Sequence, residues 1–394
     1  MFKSVKEMDV AGKTVLVRVD FNCPLNDGKV SDDNRIQAAL PTIKYLLEQN
    51  SKLILMSHLG RPKGEVNPKF SLAPVAEELG KILDKDVQMA KDCIGPDVLA
   101  QADSLKEGEI LVLENLRFHP EEKKNDPGFA AKLANMADLY VNDAFGAAHR
   151  AHSSTHAIAS KLPAAAGLLM ERELIELGKL IEEPKRPFVA ILGGAKVSDK
   201  IGVLTSLSKI ADSVLIGGGM AFTFLKIMGN EIGTSLCEKD LDACEKLWKE
   251  ANSNKAKIYI SQDVAVAESF GPAEVRNEVL ASEIPADQMG LDIGSKTIEE
   301  FSKIISEAGT VFWNGPMGVF EHKPYDVGTR SLAEAIAASE AVSCVGGGDS
   351  AAAIRQMKLD HNITHMSTGG GASLELLEGK ELPGVTVLKS TTNA

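Results

Sequence analysis

The feature that most constrains this chain is a recurring unit, a short apolar run followed by a glycine-rich turn and the start of a helical pattern. In the second half it occurs at Phe188 to Gly194, Ser213 to Gly219, Val342 to Gly348 and Thr364 to Gly371. In the first half Thr14 to Phe21 and Lys52 to Ser57 read as strands, while Asn34 to Gln49 sets Ile36, Leu40, Ile43 and Leu47 at helical spacing. Strands alternating with helices imply a parallel α/β sheet. At 394 residues the chain exceeds what one core usually serves, so two domains with a cleft are expected. Leu168 to Glu183 is a continuous helical pattern stopped by Pro184 and Pro187, and the domain connection is expected there. The units differ too much to form a solenoid repeat.

Composition narrows the partners. Hydrophobic residues make up 44% and charged residues 25%, ordinary values for a globular protein. A net charge of -12 argues against a general nucleic-acid surface, though not against a local basic pocket. The five cysteines, Cys23, Cys93, Cys237, Cys244 and Cys344, are odd in number and lack metal-type spacing, which predicts free thiols in a reducing cytoplasm. The first residues carry Lys3, Lys6, Glu7 and Asp9 with no apolar core, and the longest apolar run, Leu162 to Met170, is too short to span a bilayer. No membrane association is expected.

Basic residues gather at the predicted strand ends of the first half. Arg18, Asp20 and Asn22 alternate onto one face in RVDFNCP; SHLGRPKG brings His58 and Arg61 off the next strand; LENLRF supplies Arg117; NDAFGAAHRAHSST supplies His149, Arg150 and His152. Open parallel sheets bind ligands at such ends. Taken singly, each arginine is an ordinary surface group, but four strand ends agreeing predict an anionic substrate, which the planar guanidinium pairs bidentately. His149, His152 and His156 have spacings compatible with a metal, yet no cysteine or paired carboxylate stands nearby, and Ser153 to Thr155 read as a turn. Glu121 to Lys124 reads as a solvated charge run.

In the second half, GGAKVSDK offers Gly193 and Gly194 for close backbone approach to phosphate, with Lys196 and Lys200 expected on one helical face. GGGDSAAAI leads from Gly346 to Gly348 into Asp349 and Ser350 at a helix start, where Asp349 suits magnesium or an N-cap. WNGPMGVFE provides an apolar wall of Pro316, Met317 and Val319 beside Glu321, a combination suited to an adenosine or to core packing. Familiar motifs fail: AGKT at Ala11 to Thr14 lacks the first P-loop glycine, no protein-kinase catalytic loop occurs, and no dinucleotide fingerprint is spelled out.

Taken in order, RVDFNCP, SHLGRPKG, LENLRFHPEE, NDAFGAAHRAHSST, GGAKVSDK, WNGPMGVFE and GGGDS resemble the signatures of the phosphoglycerate kinase family across essentially the whole chain. The resemblance implies two Rossmann-like α/β domains, each with a mainly parallel sheet flanked by helices, joined by a hinge helix. Residues 1–168 would bind phosphoglycerate, 169–184 would connect, 185–379 would bind nucleotide, and 380–394 would pack back on the first domain. It implies that Asp20, Phe21, Asn22, Arg35, His58, Leu59, Gly60, Arg61, Arg117 and Arg150 bind 3-phosphoglycerate or 1,3-bisphosphoglycerate. It likewise implies that Gly194, Lys196, Lys200, Gly290, Asn314, Glu321, Gly347, Gly348, Asp349 and Ser350 surround ATP or ADP, with Asp349 assisting Mg2+ and with Arg35 and Lys200 catalytic. Family members are usually cytoplasmic monomers that close about the hinge. Cys23 stands where an aliphatic residue is expected and Ser350 where threonine is common; the former suggests sensitivity to thiol reagents. Rivals are another acyl-phosphate or sugar-acid kinase, a silent nucleotide-binding scaffold and, more distantly, a nicotinamide oxidoreductase.

Overall fold

A computed structural model describes residues 2–389. The chain divides into two compact units, with the division falling between Ile175 and Glu176, inside the helix Leu168–Glu182. Glu381 to Lys389 also belong to the first unit. They are tied there: Gly384 N–H donates to Ala148 O at 2.8 Å, and Asn142 Nδ2 donates to Gly384 O at 3.1 Å. The expectation that 380–394 packs on the first domain falls partly on 390–394, which lie outside the described residues.

The first unit holds a six-stranded, all-parallel sheet in the spatial order Val87–Met89, Ile110–Val112, Lys52–Met56, Thr14–Arg18, Leu139–Asn142 and Ala164–Ala166. Val15 to Val17 and Leu53 to Met56 are fully buried because helices cover both faces, which is why these strands read as continuous apolar runs rather than alternating ones. From Thr14–Arg18 the chain first builds outward through Lys52–Met56, then returns to place Leu139–Asn142 on the other side. That reversal opens a crevice at the strand C-termini, where ligands bind in such sheets. Val19 to Phe21 leave the sheet at this point.

The second unit repeats the design with the order Lys257–Ile260, Ser213–Ile216, Phe188–Leu192, Thr310–Asn314, Val342–Gly346 and His365–Met366, again all parallel. Its reversal lies between Phe188–Leu192 and Thr310–Asn314. A separate antiparallel sheet of Asp263–Ala267, Asn277–Leu280 and Met289–Ile293 adds a layer that the strand–helix alternation did not predict. Its core joins Phe222 and Leu225, from the helix Gly218–Ile227, to Val264 and Val266. Helix Leu168–Glu182 is rooted in the first unit: Leu169 and Met170 N–H donate to Asp143 Oδ1 at 2.9 and 3.2 Å, and Leu168 N–H donates to Thr42 Oγ1 at 2.8 Å. Among the described residues no helix is long and apolar enough to cross a membrane.

Candidate functional site

At the C-terminal edge of the first sheet, Arg18, Asp20 and Asn22 do different work. Arg18 is fully buried, donating from Nε to Ser154 Oγ at 2.8 Å and from Nη2 to His58 Nδ1 at 3.0 Å, with Nη1 on Val19 O. Asp20 accepts from Arg35 Nη1. Burial works to raise the Asp20 pKa, but Arg35, His58 and Arg18 outweigh it and hold the carboxyl below its ordinary range. Asn22 Oδ1 accepts from Gly60 N–H at 2.8 Å, fixing the turn after the second strand. Arg35, a third exposed at its side chain, reaches Asp20 from the first turn of helix Asn34–Glu48.

Arg117 donates from Nη1 to Gly60 O at 2.9 Å, while its buried Nε has no hydrogen-bond partner. Burial and the neighbouring Arg18 lower its pKa to about 10, still charged at neutral pH. Arg61 and Arg150 are exposed. Phe21 and Leu59 are buried in the core, so only their backbone is available to a ligand. Burial, followed by Arg18 and Arg117, depresses His152 to about 4 and leaves it neutral. His58 is likewise driven well below its ordinary value, by burial against the pull of Asp20. The result is a cation-rich edge of neutral imidazoles and charged guanidiniums, a receptor for an anion.

Two expectations change here. Glu122, read as part of a solvated run, is fully buried: its Oε1 accepts from Ser154 Oγ at 2.6 Å and its Oε2 from Ser154 N–H at 3.0 Å. Burial raises the Glu122 pKa, and the guanidinium of Arg18 behind Ser154, with the two Ser154 hydrogen bonds, opposes that shift. Cys23 is buried too, and its thiol is pushed up to about 12 by burial, so it is a poor nucleophile rather than a reactive group. The three histidines form no metal cluster. Among the described residues Asp92, Cys93 and His119 do bring ligand atoms together, but His119 Nε2 and Asp92 Oδ1 at 2.7 Å form a hydrogen bond, closer than two ligands of one tetrahedral ion, which stand roughly 3.3 Å apart.

In the second unit the strand ends at the reversal meet backbone to backbone. Gly194 N–H donates to Pro316 O at 2.9 Å, and Gly193 N–H to Asn314 O at 3.0 Å. A Cβ on Gly193 would lie 2.2 Å from Pro316 O, and one on Gly315, whose φ is +96°, would lie 2.2 Å from Gly193 O. Only glycines allow the two turns this close. Beside them lies a cavity of about 410 Å³, lined by Gly194, Ala195, Gly218 and Gly219, by Met289 to Ile293 of the antiparallel sheet, and by Pro316 to Val319, with Glu321 and Asp349 among its polar residues. Leu236 and Phe270, which also line it, are more than three-fifths exposed. Large apolar side chains left open around a concave site mark a place for a flat, largely apolar ligand.

Lys196 and Lys200 do not share a helical face. Residues 193–197 are irregular, 198–200 form a turn, and helix Ile201–Ile210 begins only after Lys200, its N-cap. Lys196 is exposed; Lys200 is half-buried, and burial lowers its pKa to about 8 against the raising effect of Asp199 and Asp349. Gly347 caps helix Gly348–Gln356, so Asp349 is not the N-cap and its exposed carboxylate is free for a cation. Ser350 is fully buried and its Oγ accepts from Gly315 N–H at 2.6 Å, bracing the turn rather than facing a ligand. Asn314 Nδ2 donates to Gly346 O, while its buried Oδ1 has no partner. Gly290 sits in the cavity lining, its N–H on Ser235 Oγ. Met289 and Ile293 were not singled out from sequence, since the antiparallel layer that presents them has no strand–helix signature, and neither was Phe222, which reaches the cavity from helix Gly218–Ile227.

A model of the Phosphoglycerate kinase family matches residues 5–380. The phosphoglycerate kinase of Moorella thermoacetica is 53% identical over 386 residues, covering 98% of both chains, and that of Pelotomaculum thermopropionicum is 51% identical over 387 residues with the same coverage. Among solved structures, phosphoglycerate kinase from Coxiella burnetii superposes with a TM-score of 0.87 at 38% identity, covering 98% of this chain and 99% of that one. The Pyrococcus horikoshii OT3 enzyme gives 0.85 at 34% identity, covering 98% of each. With motif order, paired parallel sheets and end-to-end similarity agreeing, this chain belongs to the phosphoglycerate kinase family and is a phosphotransferase.

Proposed function

We propose that this chain transfers a phosphoryl group reversibly between 1,3-bisphosphoglycerate and ADP on one side and 3-phosphoglycerate and ATP on the other, as a cytoplasmic monomer. The observation that carries the reading is chemical asymmetry between two sheet edges: one is lined with arginine and neutral histidine, the other is a glycine-walled apolar cavity with a lysine and a carboxylate beside it. The first suits a small polyanion. The second suits a base and ribose, with phosphates toward Lys200 and the helix start at Gly348.

In this reading Asp20, Asn22, Arg35, His58, Gly60, Arg61, Arg117 and Arg150 hold phosphoglycerate, Phe21 and Leu59 contributing backbone alone. Gly194, Lys196, Lys200, Gly290, Asn314, Glu321, Gly347, Gly348 and Asp349 surround the nucleotide, and Ser350 acts through Gly315. Asp349 fits magnesium, a hard cation that takes one or two carboxylates together with phosphate oxygens. Bound there, the ion would neutralise phosphate charge.

With ATP as donor, an acceptor carboxylate oxygen forms the new bond to the γ-phosphorus while the bond to the bridging oxygen breaks, leaving its electrons on ADP. The acceptor is already ionised at neutral pH, so no general base is needed. The work left to the protein is aligning two anions and offsetting charge on the moving group, assigned to Arg35 and Lys200. Closure about the helix Leu168–Glu182 belongs to the same proposal, since it would also exclude water from an acyl phosphate. A coupled assay with 3-phosphoglycerate and Mg-ATP tests the reading. Steady ADP formation that depends on 3-phosphoglycerate is expected; turnover only with a different carboxylic acid would reject it in favour of a related acyl-phosphate kinase.

A further inference from the structure

Beneath the anion-binding edge runs a buried chain whose hydrogen-bond directions are fixed by chemistry. Arginine has only donors, so Arg18 Nε–H must donate to Ser154 Oγ, at 2.8 Å. Ser154 Oγ can then pass its own hydrogen only onward, to Glu122 Oε1 at 2.6 Å. Glu122 Oε2 takes the Ser154 N–H at 3.0 Å, and Tyr140 Oη donates to Ser154 O at 2.7 Å, so the serine is clamped on three sides. At the other end Arg18 Nη2 lies 3.0 Å from His58 Nδ1. A nitrogen facing a guanidinium N–H must present a lone pair, which leaves the ring hydrogen on Nε2.

We propose that Glu122, Ser154 and Arg18 are positioning residues that fix His58 as its Nε2–H tautomer, so that His58 meets the substrate anion as a hydrogen-bond donor. The inference rests on the assignment of His58 to the substrate site. The charged groups facing His58 are Asp20, with Oδ1 3.9 Å from Nδ1, together with Arg18, Arg117 and Arg35. Three cations against one carboxylate, in a fully buried setting, keep the ring neutral. Asp20 cannot claim Nδ1 as an ion-pair partner because the nearer Arg18 donates to it. Glu122 fixes Ser154 Oγ, which in turn holds the guanidinium at Nε; without that relay Arg18 is free to swing toward Asp20, and the constraint on Nδ1 is lost.

The test is nitrogen NMR of histidine-labelled full-length protein, with His58 assigned through His58→Gln. Wild type should show a protonated Nε2 and an unprotonated Nδ1, unchanged across neutral pH. Ser154→Ala, which deletes one hydroxyl, and Arg18→Lys, which keeps the charge but loses the fork, should each give averaged shifts from mixed tautomers. Each should also raise KM for 3-phosphoglycerate by about tenfold or more, equivalent to about 1.4 kcal/mol, with kcat changed much less. Ser154→Thr retains the hydroxyl and should restore the wild-type pattern. An Nδ1–H or charged His58 in wild type overturns the proposal whatever the variants do. So does a wild-type tautomer in folded Ser154→Ala and Arg18→Lys. Should His58→Gln leave KM for 3-phosphoglycerate unchanged, the substrate assignment fails instead, and the tautomer result identifies which of the two ideas broke.

Discussion

Arg35 and Lys200 carry the sharpest consequences at the scale of single residues. If the Arg35 guanidinium offsets charge on the transferring group, Arg35→Ala should lower kcat by at least about a hundredfold with the fold intact, the lower side of what a cationic finger supplies. A drop of less than about tenfold in steady-state assays would remove it from the mechanism. Lys200 adds a pH signature. Its pKa of about 8 in the free protein lies below the ordinary lysine value, so its charge is present below that pH and is lost above it. The kcat/KM for nucleotide should therefore fall as pH rises through about 8, and Lys200→Ala should flatten that limb while retaining part of the nucleotide binding. Cysteine chemistry is ordered by burial: Cys237 is exposed, whereas Cys23 and Cys93 are buried and both thiols are pushed up by burial. In native protein a thiol reagent should label Cys237 first, and early modification of Cys23 in peptide maps would contradict the structure. Single residues also mark where sequence reading stops. Glu122 sits in a Glu-Glu-Lys-Lys run indistinguishable from a solvated face, and only the return of Ser154 from 32 positions away shows it to be buried.

Between residue and domain stands the contact between the end of strand Leu139–Asn142 and the start of helix Leu168–Glu182. Asp143 is fully buried and accepts the first N–H groups of that helix. Burial dominates those hydrogen bonds and raises its pKa to about 7. The unfolded carboxyl ionises near 3.9, so folding takes up a proton between the two values. Its contribution to stability is thus greatest below about 4, declines as pH rises toward 7 and is level above, a span of up to about 4 kcal/mol. Asp143→Asn keeps an acceptor with nothing to ionise; urea unfolding from pH 5 to 8 should show the variant gaining on wild type as pH rises. A constant difference would mean that Asp143 does not titrate in this window. The glycine turns make a second element-scale case. Gly193→Ala would set a methyl 2.2 Å from Pro316 O, a backbone atom that cannot rotate away. Loss of roughly 1–3 kcal/mol and weakened nucleotide binding are expected, measured by denaturation and calorimetry. Helix Asn34–Glu48 and the parallel strands were readable because their apolar periods agree with their neighbours. The antiparallel layer was not, since Asn277–Leu280 and Met289–Ile293 mix polar residues or glycine into their short runs and no helical pattern separates them.

For the whole molecule, the proposed closure has one global consequence: the protein with 3-phosphoglycerate and nucleotide together should be more compact than with either alone, by small-angle scattering. Identical profiles in all three states would reject closure as part of the mechanism. Family membership and the two-sheet α/β plan were legible from the chain itself, because continuous apolar strands, glycine turns and motif order are local properties that survive in one dimension. Tertiary structure alone decided which polar groups go inside. Arg18, Glu122, Asp143 and Ser350 look like surface residues in sequence, and each is buried because partners distant along the chain supply its charge or hydrogen bonds. Desolvation and pairing depend on three-dimensional neighbours, so the electrostatics of the site could not be read before the fold existed.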